Sequence, residues 1–324
     1  MSDKATVVYR MPNEEDFYSL SSESGLDVDS ESENGFFFSD FNTGIIYEIK
    51  NPEIKKNNWP TVSFHFKTPE SEISKEEYLK KVEEITHSIQ SGEFKKVVFS
   101  RIKKIHKPTE FDIERVFKKL CKKYPKAFVY CISSKETGTW MGASPELLLN
   151  KNGESYKTVS LAGTRVNEVD WTEKEKKEQQ VVTDYITKKI SSFSSELKVT
   201  VPYDLNTGSV IHLKSDIQFK LDRNQSVWDL VKTLHPTPAV CGIPKEKAKQ
   251  FIEQTESHRR GLYTGFIGPM GMNGHTSLFV NLRCMQIHEE SISLYLGGGI
   301  MEDSVPEHEW IETENKALTL LNSI

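Results

Sequence analysis

Two pairs of glutamates stand three residues apart in stretches rich in helix formers: Glu175 and Glu178 in EKEKKEQQVV, and Glu309 and Glu312 in EHEWIET. On a helix, positions i and i+3 share a face, so each pair can aim two carboxylates in one direction. The ordinary use of such pairs is to solubilise a helix, and two features argue for more. Helical steps from Glu178 reach Val182, Tyr185 and Lys189, so this acid continues a stripe expected to face the core, where a carboxylate needs a partner. In the second stretch Trp310, Ala317, Leu318 and Leu321 take one side, while Glu309, Glu312 and Lys316 form a separate row able to line a cleft. Two facing carboxylates suit Mg2+, which takes one or two of them and keeps waters and ligand oxygens at its other positions. Thr172-x-x-Glu175 and Ser304-x-x-Glu307 also read as capping boxes, which weights Glu178 and Glu312 above their neighbours.

Three further features could serve the same site. Lys96 lies in the strand-like run KVVFSR, where a lysine must either snorkel out from an edge or enter a polar cavity. Beside other cations it could act there as a general base. Three consecutive glycines in LGGGI, residues 296–300, read either as a bulge or turn, or as a place where backbone N–H groups approach an anion. HPTPAVCGIPKEKA, residues 235–248, sets a stiff loop before a helix whose N-terminus favours negative charge.

The elements that must hold these residues alternate irregularly. Residues 20–35 are rich in Ser, Asp and Glu and read as a loop. Strand-like runs follow at Phe36–Phe38, Ile45–Ile49 and Val62–Phe66, and the box Ser74-x-x-Glu77 opens an amphipathic helix through Tyr78, Val82, Ile85 and Ile89. Periodicity places further helices at about 110–123, about 172–192 and about 245–258, with a last one over the second glutamate pair. Long strand runs at 96–105, 127–133, 209–217, 277–288 and 291–300 lie between them, with no βαβ repeat. The pattern predicts an α+β protein with large, mostly antiparallel sheets flanked by helices.

Composition narrows the function classes. The chain has 324 residues, 36% hydrophobic and 27% charged, with 42 Lys and Arg against 47 Asp and Glu, a formal charge of −5. Without a basic run, nucleic acid is not an expected partner. No apolar stretch approaches a membrane span and the N-terminus lacks a signal-peptide core, so a cytoplasmic protein without a membrane partner is expected. Cys121, Cys131, Cys241 and Cys284 are scattered with no zinc spacing and read as reduced, mostly buried thiols.

Taken together, KVVFSR (96–101), GASPELLL (142–149), LAGTR (161–165), KEQQVVTDY (177–185), HLKS (212–215), LHPTPAVCG (234–242), LYTGFIG (262–268), NLRC (281–284), LGGGI (296–300) and EWIETENKA (309–317) resemble the chorismate-utilising enzymes, in that family's order. The first 70 residues match only loosely, so the resemblance implies a variable N-terminal portion, 1–70, packed on a chorismate-binding catalytic domain, 71–324. It implies Mg2+ as cofactor, with Glu178 and Glu312 holding the metal and Glu175 and Glu309 acting directly or through metal-bound water. Lys316 is implied to neutralise substrate charge. Tyr263, Arg283 and the amides around Gly297 are implied to take the enolpyruvyl carboxylate. Lys96 is implied as the base that activates water for attack at C2, and Glu146 as the acid at the C4 hydroxyl, with Lys96 uncharged and Glu146 protonated in the working complex. Thr164 and His212 are implied to position groups around the ring, and Ala239 to form part of its wall. LAGT in place of a PIKG-type motif favours the isochorismate-forming branch over the ammonia-using branch, so no obligatory glutaminase partner is expected, and a monomer is. Salicylate synthases, which share the lysine and then eliminate pyruvate, are the nearest alternative. Gln179 departs from the family pattern, where many relatives have histidine, and the product could serve menaquinone or a catecholate siderophore.

Overall fold

In a computed structural model, which describes residues 4–29, 32–166, 170–206, 210–272 and 274–324 and only the backbone of residues 164, 166, 174, 206 and 210, the chain opens with six short strands. These are β1 (Ala5–Arg10), β2 (Tyr18–Ser22), β3 (Leu26–Val28), β4 (Gly35–Ser39), β5 (Ile46–Ile49) and β6 (Glu53–Lys56). Helix α1 (Lys75–Gln90), strand β7 (Lys96–His106) and helix α2 (Ile113–Lys123) follow. Next come β8 (Phe128–Ser134), β9 (Gly138–Ser144), β10 (Leu147–Asn152), β11 (Ser155–Val166) and α3 (Glu173–Ile190). The chain continues through β12 (Leu197–Val199), β13 (Tyr203–Asn206), β14 (Val210–Phe219), α4 (Val227–Leu234), β15 (Gly242–Ile243) and α5 (Lys245–Thr255). It ends with β16 (Phe266–Met270), β17 (Thr276–Val280), β18 (Cys284–Ile287), β19 (Ser291–Ile300) and α6 (Pro306–Leu321).

Two sheets result. One runs β15-β7-β19-β18-β9-β8-β1-β2-β6, the other β12-β14-β11-β10-β17-β16-β4-β5-β3 with β13 on β14. Each neighbouring pair along both sheets is antiparallel. The predicted α+β class with large antiparallel sheets is therefore observed. Alternating strand residues fill the layer between the sheets, where Val7 and Tyr9 of β1 meet Phe36 and Phe38 of β4, and Phe128 stacks on Phe279 at 4.6 Å. Outside the first sheet, α1 and α5 cover β7 through Tyr78, Val82 and Ile252, and α2 and α6 cover its middle through Phe117, Leu120 and Ala317. Outside the second, α3 and α4 bury Val182, Ile186, Trp228 and Val231.

Several expectations shift. Residues 20–35, read as a loop, include parts of β2 and β4 and the whole of β3, because tertiary pairing overrides a polar composition. Val62–Phe66 is not a strand: this segment crosses the first sheet, where His65 N donates to Ser133 Oγ at 3.3 Å and Thr139 Oγ1 at 3.2 Å. Helix α4 has no counterpart among the expected helices, although Ser226 caps it by accepting from the amides of Trp228 and Asp229. The run 277–288 splits into β17, in the second sheet, and β18, in the first. The first 70 residues place three strands in each sheet.

That split positions the site. The chain passes between the sheets at 145–146, from β9 to β10, and again at 281–283, from β17 to β18. The two crossings run side by side: Val280 N donates to Glu146 O at 2.9 Å and Ala143 N to Arg283 O at 3.1 Å. Glu146 and Arg283 sit at these crossings, and Arg283 adopts φ 48°, a left-handed turn that redirects the chain.

Candidate active site

Lys96 begins β7 in the interior, not at an exposed edge. Ile243 of β15 pairs with it, only 9% of the residue is exposed, and its Nζ donates to Glu178 Oε1 at 3.3 Å. The glycines of β19 make room. A Cβ on Gly299 would lie 2.7 Å from Lys96 Cε, one on Gly297 2.8 Å from the Tyr263 hydroxyl, and one on Gly298 3.0 Å from Glu309 Oε2. Successive strand residues face opposite sides. Gly297 and Gly299 thus border the layer between the sheets, holding Tyr263 and Lys96, while Gly298 lies under the acids of α6. The register with β7 is continuous from Ser291 to Ile300, so the glycines form neither a bulge nor a turn. They leave a strip one backbone thick between two sets of functional groups.

The expected acidic row of α6 lies on that strip. Ser304 Oγ donates to Glu309 Oε1 at 2.7 Å, and Lys316 Nζ reaches Glu312 Oε1 at 2.5 Å and Gly297 O at 2.7 Å. Burial, with the Glu312 charge beside it, raises the Glu309 carboxyl above the usual range. Burial opposes ionisation of Glu312 too, but Lys316, Lys96 and Arg283 outweigh it and hold that carboxyl below the usual range. The helix is held by Arg101 of β7, whose Nε donates to Thr313 Oγ1 at 2.8 Å, whose guanidinium carbon lies 3.7 Å from the centre of the Trp310 ring, and whose Nη2 pairs with Glu314. Lys103 also pairs with Glu314. Glu314 is thus a structural anchor. Glu307 does not cap: α6 starts at Pro306 after Val305, and Glu307 pairs with Lys75 of α1 at 2.6 Å. Leu318, expected on the buried side, is exposed, and Thr313, Ala317 and Leu320 form the buried face.

On α3, Thr172 and Glu175 form the expected capping box, with Thr172 N donating to Glu175 Oε2 at 3.0 Å. This engages one oxygen of the Glu175 carboxylate at the helix start. The buried stripe runs through Gln179, Val182, Ile186 and Ile190, and Glu178 lies at its margin, one position from where the stripe was expected. That margin is what lets Glu178 reach Lys96.

Glu146, at the first crossing, is 8% exposed, and burial raises its carboxyl to about 7 against the opposing pull of Lys96 and Lys214. Arg283, at the second, donates from Nη1 to Thr319 Oγ1 of α6 at 2.8 Å, and burial lowers its tendency to stay charged. Burial raises the Tyr263 phenol. His212 on β14 brings Nδ1 to 3.4 Å from Gly163 O. Burial, then the charges of Arg283 and Lys316, pull it below the usual histidine range, so it is neutral near pH 7. Thr164 pairs with His212 through the backbone beyond a bulge at Gly163, and its side chain lies outside the described residues. Ala239 is partly exposed in the proline-rich turn between α4 and β15, against the strand that starts with Lys96. The four cysteines are unpaired, and all but Cys121 are buried.

For Mg2+, Glu309 and Glu312 are the best-placed donors. Glu309 Oε2 is buried with no hydrogen-bond partner, and such an orphan oxygen beside a second carboxylate suits a hard cation. Among the described residues no three His, Cys, Asp or Glu side chains gather as a ready metal cage. The donor set fits an ion that keeps waters and ligand oxygens. None of the described helices is long and apolar enough to cross a membrane.

Residues 45–324 match a family profile described as chorismate binding enzyme. The isochorismate synthase EntC of Escherichia coli K12 is 32% identical over 240 residues, 70% of this chain and 61% of that protein. Anthranilate synthase component 1 of Thermococcus kodakarensis is 28% identical over 264 residues, 77% of this chain and 60% of that one. The chain thus spans about three fifths of the length of these relatives. The structure of MenF, the menaquinone-specific isochorismate synthase of Escherichia coli, has the same fold, with a TM-score of 0.83 at 20% identity, covering 98% of this chain and 88% of that one.

Proposed function

The chain belongs to the chorismate-binding enzymes, and on that premise we propose that it is an isochorismate synthase, an isomerase that adds water at C2 of chorismate and removes the C4 hydroxyl. The observation that carries this reading is the pair formed by Lys96 and Glu146. A buried carboxyl raised to about 7 keeps its proton near neutrality and can give it to a departing hydroxyl. Lys96, inside the same charged cluster, takes a proton from the attacking water once it is uncharged. Water enters at C2, the double bond shifts, and the C4 oxygen leaves as water with the proton from Glu146, so the net change is an isomerisation.

Arg283 and Tyr263 supply a planar two-point donor and a hydroxyl for the enolpyruvyl carboxylate, and Lys316 balances charge at the ring carboxylate. His212, neutral with Nδ1 toward a carbonyl, holds polar groups of the ring in place, and Ala239 lines the wall. Glu309 and Glu312, with Glu178 of α3, would hold Mg2+, which would supply positive charge to screen the ring carboxylate.

Incubating purified protein with chorismate and Mg2+ and identifying the products tests the proposal. Isochorismate without pyruvate is expected. Salicylate with pyruvate would establish the pyruvate-eliminating alternative, and anthranilate formed only with an ammonium salt would overturn both. Lys96→Ala should leave Mg2+-dependent chorismate binding and remove nearly all turnover.

A further inference from the structure

Behind Glu178 lies a group of polar side chains that the proposed chemistry does not use. Gln179 is 1% exposed, Ser160 of β11 0%, Ser215 of β14 1% and Thr183 6%, so all four are buried, among the apolar residues that seat α3 on the second sheet. Gln179 Nε2 lies 2.9 Å from Ser215 Oγ, 2.9 Å from Thr183 Oγ1 and 3.2 Å from Ser160 Oγ. The hydroxyls of Ser160 and Thr183 are 2.7 Å apart, and Thr183 Oγ1 donates to Gln179 O at 3.0 Å.

The two N–H bonds of the carboxamide serve Ser215 and Thr183, Ser160 donates to Thr183, and Thr183 donates to the backbone. These four donations are all made only when α3, β11 and β14 stand in one relation. The apolar part of the same interface, Val182, Ile186 and Ile190, is far less selective, since aliphatic side chains tolerate small rotations of a helix while buried amides do not. Residues 178 and 179 are about 100° apart around the helix. A rotation of about 20° would carry the Glu178 carboxylate, about 6 Å from the axis, through about 2 Å. That shift is more than enough to break its 3.3 Å contact with Lys96.

We infer that Gln179 is a positioning residue that, through the hydroxyls of Ser160, Thr183 and Ser215, sets the rotation of α3 and so the place of Glu178 in the Mg2+ and substrate site. None of the four side chains ionises near neutral pH, so this seat holds the helix alike across the working range. The inference rests on the reading of Glu178 as a metal-binding acid.

The test uses the full chain with Gln179→Met, which keeps length but removes both donors, and Ser215→Ala, a milder loss of one acceptor. Mg2+ binding is read by calorimetry with chorismate present, and the Mg2+ dependence of turnover is read alongside. About a tenfold weaker Mg2+ affinity is expected for Gln179→Met and about threefold for Ser215→Ala, with kcat at saturating Mg2+ within about threefold of the parent, as for outer residues that orient ligands. If Gln179→Met fails to fold, Ser215→Ala alone must still shift the affinity. A lower melting temperature with unchanged Mg2+ affinity in the folded protein overturns the inference and leaves the cluster a purely structural one. Parent protein that binds Mg2+ with chorismate but forms no isochorismate defeats the proposed reaction, while the affinity series still decides the role of Gln179.

Discussion

Helices α3 and α6 each carry an i, i+3 pair of glutamates and are seated in opposite ways. The seat of α3 is neutral, a carboxamide and three hydroxyls closed on one another. The seat of α6 is ionic, with Arg101 held by Trp310, Thr313 and Glu314, and with Lys103 added at its outer edge. The seats also differ in what they border. α3 packs outside the second sheet, where Glu178 at its margin must reach Lys96 across the interface. α6 lies directly on the glycine strip, where one backbone separates its acids from Lys96 and Tyr263. A neutral seat suits a helix that must place one charge accurately without adding others. An ionic seat suits a helix that already carries a row of charges and needs a counterweight on its neighbouring face.

The sharpest way to break this comparison is to remove one acid from each helix. Glu178→Gln and Glu312→Gln should each lower turnover about 100-fold at limiting Mg2+, with part of the loss recovered at high Mg2+. If one of them leaves the Mg2+ requirement untouched, the helices do not share a metal. Removing the ionic seat comes next. Arg101→Met leaves Glu314 and the Trp310 face without their cation and should cost about 3 kcal/mol in urea unfolding. A loss below about 1 kcal/mol would show that apolar packing alone seats α6. Glu146 belongs to neither helix and serves as the internal reference. Its folded carboxyl is raised from 4.5 to about 7, so the folded state holds the proton more tightly and stability declines as pH rises from 5 toward 8. Glu146→Gln should flatten this decline, gaining up to about 3 kcal/mol over the parent at pH 8 while losing turnover. In the parent, turnover should fall as pH rises past about 7. A parent rate that keeps rising to pH 9 would remove Glu146 from the role of acid.

The helix pairs, the glycine run and the strand that carries Lys96 were legible because each depends on spacing within one element. The partner of Arg101 was not, since it lies 212 residues away and only the crossing of β7 under α6 brings them together. The start of α6 was misread at Ser304 because Pro306 fits the first helical position and Ser304 turns toward Glu309. The place of Gln179 was hidden by the offset of one residue between the expected and the actual buried stripe of α3. An aliphatic pattern with two plausible phases does not select between them, and the buried hydroxyls that do select come from β11 and β14.

The division of the first six strands between both sheets has a consequence for how the chain is made. β4 pairs with β16, so residues near 37 find their neighbour only once residues near 267 exist. At a synthesis rate of about 5–20 residues per second, that wait is on the order of 10–50 s. Through that interval β3, β4 and β5 hold Phe36, Phe37 and Phe38 at an edge with nothing beside it. The segment from β16 to α6 therefore carries both the acids of α6 and a strand that closes the second sheet, so a ribosome stalled before that segment would release a chain prone to self-association as well as inactive.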